Sequence, residues 1–212
     1  MTTDAKLLTL MQWLSPNYPV GAFAWSHGLE GATAAGWVHD RATLQAWIKA
    51  LIADGSIWSD AVLIAQAYGS DDLETLNATA RALAASKERL DEATRQGAAF
   101  AKITRDVWGM DLPDLQMPVA LGRAGRLAEV DCGALIALYA QSFASNLTAA
   151  AQRLMPLGQT DAQAVLAALA PDCMAVAARA QVATLDDIYA NTFLSDIAAM
   201  RHETLPHRVF QS

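Results

Sequence analysis

Cysteine is scarce in this chain of 212 residues: there are two, Cys132 and Cys173, far apart and in no CxxC pair. Two thiols exclude a disulfide framework, and a reduced, cytoplasmic setting is expected. Basic residues are also few, with 15 Lys+Arg against 22 Asp+Glu and a net charge of −7. At this charge a phosphate backbone is repelled at long range, and no local basic patch offsets the repulsion, so nucleic acid is not an expected partner. Near the start, Leu7 to Leu14 is apolar but too short to span a bilayer, and no basic region with a small-residue cleavage site accompanies it. A soluble, unprocessed protein without membrane contact is expected. Strict alternation of Val, Ile and Thr is missing, which argues against strands. Neither GxxxxGK[ST] nor GxSxG occurs, so the chain lacks a phosphate cradle and a hydrolase nucleophile elbow.

What is present is alanine. The composition is 53% hydrophobic but only 7% aromatic, and the excess lies in the best helix former. The expected fold is all-α: a single-domain compact bundle of about nine or ten helices over residues 1–201, with an extended C-terminal tail over 202–212. Pro16 stops an opening helix over Ala5 to Leu14. Phe23 to Ala35 is helical up to Gly36. Asp40 caps an amphipathic helix carrying Leu44, Trp47, Ile48, Leu51 and Ile52, which Gly55 ends. The next helix opens at Ser59 or Asp60, and two more occupy Ser70 to Ser86 and Lys87 to Trp108. In the second of these, Leu90, Ala93, Gly97, Phe100 and Thr104 line one side. The other side, with an Asp91/Arg95 pair at i, i+4, is read as solvated. Gly109 to Pro118 is a linker, and Gly122 to Arg126 a basic glycine turn. A long helix from Ala134 to Leu154 carries Asn146, read as a buried hydrogen-bonding residue. Thr160 and Gln163 form a capping box for a helix ended by Pro171. Two further helices run from Cys173 and from Leu185 to Arg201.

One stretch stands apart from this packing sequence. From Ser15 to Glu30 the chain concentrates Pro16, Pro19, Gly21, Phe23, Trp25, His27, Gly28 and Glu30. The prolines fix φ and remove donors, the glycines allow close backbone approach, and polar side chains stand among aromatics. His27 and Glu30 at i, i+3 would share a helical face as a weak pair of metal ligands, too few for a firm site. His202, Glu203 and His207 imitate HExxH, but the spacing is i+5 and Pro206 breaks the helix, so a zinc protease is excluded. Ser26 has no base and orienter visible in sequence. With no complete catalytic constellation, a binding or scaffold protein is expected, with Tyr18, Trp25, Arg208 and Phe210 as candidate anchors. The alternatives left open are an all-α enzyme using Ser26, His27 and Glu30, and a direct carrier of a metal ion.

Three blocks of sequence then resemble the urease accessory protein F (UreF) family. The first comprises Ser15-Pro16, Pro19-Val20-Gly21, Phe23 and Ser26-His27-Gly28-Leu29-Glu30. The second is Arg153 to Thr160, and the third runs from Asp196-Ile197 through Met200 to Leu205 and on to Arg208-Val209-Phe210 and Ser212. Family tails often carry an aromatic residue in place of Pro206 and arginine in place of Gln211. The resemblance implies a non-enzymatic, dimerising all-α protein with no cofactor of its own. Its implied partners are UreD (also called UreH), the GTPase UreG and apo-urease, with nickel in transit during GTP-dependent insertion. Carried over by position, Tyr18, Trp25, His27, Glu30, His202, Glu203, Arg208 and Phe210 would serve partner docking, with His27 and Glu30 as polar lining.

Overall fold

A computed structural model describes residues 5–212. Among them are ten α-helices and no strand: α1 Ala5–Trp13, α2 Leu29–Ala34, α3 Arg41–Asp54, α4 Ser56–Gly69, α5 Leu73–Ala82, α6 Lys87–Trp108, α7 Met117–Leu127, α8 Cys132–Leu154, α9 Gln159–Ala180 and α10 Phe193–His202. The all-α expectation holds. The center of the bundle is α4, whose Ile57, Val62 and Ile64 are fully buried as it packs on α3, α7, α8 and α9. A second center forms where Trp13 meets Phe100 edge-on at 5.6 Å and Trp108 at 5.7 Å.

Local signals place several helix ends. Asp40 Oδ1 accepts from the Thr43 amide at 2.8 Å, and the Thr43 hydroxyl accepts from the Asp40 amide in return, closing a capping box. Gly55 ends α3 as expected.

Elsewhere tertiary contacts override local sequence. Pro171 does not end a helix: α9 runs through it. Pro171 and Ala167, the residue whose carbonyl loses its partner, are both exposed, so water takes the orphaned acceptor while Val165, Leu169, Cys173 and Val176 keep a continuous buried face. The Thr160/Gln163 capping box is absent, because Gly158 occupies the N-cap position. The segment read as a glycine turn is helical: Gly122 and Gly125 lie buried in α7, and a Cβ at Gly122 would strike the α4 backbone at Ile64. α4 begins at Ser56, earlier than expected. The helix expected from Leu185 is broken because Thr184 and Asp187 cap each other. The chain then runs without helix to Thr192, with the Asn191 amide donating to the Asp54 carbonyl at 2.8 Å.

Of the described helices, α9 alone is long and apolar enough to cross a bilayer by length and composition. Here it packs against α3, α4 and α8.

Candidate partner-docking site

The Ser15 to Glu30 segment is not one helix start but a strung series of turns. A short 3-10 turn at Ala22–Ala24 gives way to extended backbone at Trp25, and Asn146 of α8 holds that shape by donating to the carbonyls of Ala22 at 3.1 Å and Trp25 at 3.3 Å. Asn146 is therefore the hydrogen-bonding residue its place among apolar neighbours implied. Next, His27 and Gly28 both take left-handed backbone, with φ of 56° and 79°. For a histidine this conformation is uncommon and needs support from its surroundings. It delivers the chain into α2, where a Cβ on Gly31 would lie 2.5 Å from the Ala198 carbonyl oxygen of α10. Glycine is what lets α2 and α10 touch backbone to backbone.

This contact brings the two ends of the motif pattern together. The buried Glu30 carboxylate accepts from the amides of Val209 at 2.8 Å and Phe210 at 2.9 Å. It also faces His202 Nε2 at 3.1 Å. The other ring nitrogen of His202, Nδ1, lies 2.6 Å from Glu88 Oε2, and Glu88 Oε1 accepts from Arg208 at 2.6 Å. His202 is completely buried, so each of its nitrogens has a carboxylate partner where an unpaired buried group would be costly.

The tail expected as an extended segment is docked against the body, with Phe210 and Ser212 buried. Phe210 is buried under the Arg153 guanidinium, 4.1 Å from its ring centroid. The Gln211 amide donates to the Ala24 carbonyl at 2.8 Å. The Ser212 carbonyl accepts from the Ser26 amide at 3.0 Å and from the Ser26 hydroxyl. The Ser212 hydroxyl accepts from the His27 amide at 3.1 Å and donates to Glu92 at 3.2 Å. The α6 face read as solvated is thus partly covered. Glu92 is buried and paired with Arg89 and Gln96, and Arg95 turns from Asp91 to Gln211 and the Trp25 ring.

The structure separates the remaining candidates. Tyr18, Trp25 and Phe210 are buried within this chain; Tyr18 lies in the aromatic core with its hydroxyl 3.0 Å from Thr104 Oγ1. Glu203 and Arg208 are exposed, Glu203 accepting from the Lys87 amide at the start of α6. They border an open, charged groove of about 300 Å³ with Lys87, Glu88, Asp91 and Arg95. Ser26, His27 and Glu30 do not form a catalytic set: Ser26 is bonded to Ser212, His27 Nε2 faces Ser56 Oγ at 2.6 Å, and Glu30 is occupied by the tail. His27 and Glu30 also face apart, His27 toward Ser56 and Glu30 toward His202 and the tail.

Sequence reasoning missed Ser56, Asp60, Glu88, Glu92 and Tyr139. Asp60 accepts from the Tyr139 hydroxyl at 2.6 Å; burial pushes its carboxyl up to about 6, against the opposing effect of that bond. Burial, reinforced by the Arg89 charge, holds His27 well below the usual imidazole range and hence neutral. The only advance signal was that Glu88 and Glu92 stand one turn apart beside the Ala93, Gly97, Phe100 stripe.

The UreF family model matches residues 38–170. The chain is 46% identical to the urease accessory protein UreF of Ruegeria pomeroyi, over 99% of this chain and 98% of the relative. It is 47% identical to that of Roseobacter denitrificans over 100% and 96%, and 48% identical to that of Cereibacter sphaeroides strain KD131 over 99% and 100%.

Proposed function

We propose, from the premise that this chain belongs to the UreF family of urease accessory proteins, that it is a non-catalytic scaffold that bridges a UreD-type (UreH-type) protein and the GTPase UreG. In this reading it works as a homodimer in the cytoplasm, engages apo-urease, and supports GTP-dependent insertion of nickel. Nickel is cargo here, and the protein keeps no cofactor of its own. The observation that carries the reading is the joint surface made by the 24–30 segment, the first turns of α6 and the tail. Residues from both ends of the chain build it around Glu30, and it leaves Glu203, Arg208, Asp91 and Arg95 lining an open charged groove. A surface of mixed charge beside rigid aromatic supports suits protein recognition, where charge complementarity sets partner choice. Free thiols at Cys132 and Cys173 suit a reducing compartment.

Co-expression with UreD-type and UreG-type proteins and affinity purification tests this. The wild-type chain should copurify with both, and Arg208→Glu with Glu203→Lys should reduce capture at least tenfold and lower the nickel content of urease made in the same cells. A well-folded chain that retains neither partner would overturn the reading.

A further inference from the structure

His202 faces more acceptors than a neutral imidazole has protons to offer. A neutral ring carries one N–H and one lone pair. Here Nδ1 lies 2.6 Å from Glu88 Oε2 and Nε2 lies 3.1 Å from Glu30 Oε2, and the side chain is completely buried, so water replaces neither partner. Both carboxylates are already committed as acceptors. Glu30 takes the Val209 amide on Oε1 and the Phe210 amide on Oε2, while Glu88 takes Arg208 on Oε1. A lone pair on either ring nitrogen would therefore point at a negatively charged oxygen. The charge count leads to the same place. Glu30 from α2 and Glu88 from α6 are mostly buried, at 8% and 14% side-chain exposure, and Arg208 from the tail balances one of them. A second positive charge is needed, because an uncompensated buried charge is costly. The neighbouring charges on α10 point elsewhere: Arg201 lies over the Trp37 ring, and Glu203 accepts from the Lys87 amide.

We propose that His202 is an imidazolium whose second proton fastens α10 to α2 and α6, so that docking of α10 and the tail takes up one proton. Released from these contacts, the ring reverts to an ordinary imidazole that titrates near about 6.5. Linkage gives the sign: docking is at full strength below about pH 6.5, and above it the docking equilibrium falls about tenfold per pH unit for as long as the docked ring keeps a proton that the released ring has lost. The meaning of this rests on the reading above, in which α10 and the tail carry part of the surface that a partner meets. In that setting the clasp loosens as pH rises. Ammonia, the basic product of urea hydrolysis, then weakens the scaffold that matures the enzyme making it.

Nitrogen NMR of the isolated full chain, labelled with nitrogen-15 in histidine, tests this, with His202 identified as the signal missing from His202→Gln. At pH 7.5, where a free imidazole is about nine-tenths neutral, both His202 nitrogens should carry a proton. Hydrogen exchange at Val209 and Phe210, corrected for the intrinsic rate, should show wild-type protection falling at least about tenfold between pH 6.5 and pH 8.5. In His202→Gln, which retains the tail's exposed His207, the fall should be less than twofold. Should that variant lose its helical circular dichroism, His202 is assigned through its own backbone amide and the wild-type measurements decide. An unprotonated His202 nitrogen at pH 7.5, wild-type protection constant within twofold over this range, or an equal fall in folded His202→Gln overturns the proposal. Because no partner is present, these outcomes are independent of copurification.

Discussion

Glu30→Ala is the substitution that most directly tests whether the tail is held as described. The wild-type carboxylate satisfies two backbone donors, at 2.8 and 2.9 Å, and His202 at 3.1 Å. Truncation leaves the protein two options. If the tail stays, the Phe210 amide and His202 are orphaned in a buried site at about 1–3 kcal/mol each, with less for Val209, whose surroundings are partly solvated. If the tail lifts, Phe210 loses burial worth about 1.5–3 kcal/mol, and Ser212 loses its bonds to Ser26 and His27. The cheaper route governs, so the loss should be about 2–4 kcal/mol, or a fall in Tm on the order of 10 °C for a domain of this size. Glu30→Gln keeps one acceptor oxygen but turns an amide donor toward the others, and should cost about half as much. Chemical denaturation gives the free energies, and hydrogen exchange at Val209 and Phe210 shows which route is taken. A Glu30→Ala protein within about 0.5 kcal/mol of wild type, with both amides still protected, would refute the reasoning.

Two further outcomes are expected. Gly31→Ala should lower stability by at least about 2 kcal/mol in thermal melts, because the new methyl meets the Ala198 carbonyl with backbone on both sides and no side chain to yield. For Asp60, burial raises the carboxyl from its ordinary 3.8 to about 6, so the native state binds the proton more tightly and the carboxyl's contribution to stability rises as pH falls through 6. His27, depressed by burial, acts in the opposite direction, so a difference measurement is needed. The stability of wild type relative to Asp60→Asn should rise by about 1 kcal/mol from pH 7.5 to pH 5, and a pH-independent difference would contradict the buried carboxylate.

The parts of this fold legible in the sequence are those set by near neighbours. Asp40 with Thr43, Gly55, and the Leu44 to Ile52 stripe announced α3 because caps and periodicity act within one or two turns. Pro171 misled because its cost depends on whether the lost bond faces water, which periodicity does not reveal. The Ser15 to Glu30 stretch could be recognised as unusual, yet its shape is dictated by Asn146, Ser212 and Ala198, all more than 100 residues away. The charged side of α6 looks solvated in the sequence for the same reason: what covers Glu92 on it arrives from the other end of the chain.

The pairing of Glu30 with Val209 spans a sequence separation of 179 residues, and this has a consequence in time. Closing such a loop costs on the order of 4–5 kcal/mol of chain entropy before any contact forms, so the body from α3 to α9 must shorten the effective loop first. At the left-handed turn of His27 and Gly28, the His27 amide has no partner until the tail arrives. The most distinctive stretch near the start of the chain is therefore among the last to acquire its form, and during synthesis it waits unfinished until the residues that complete it have been made.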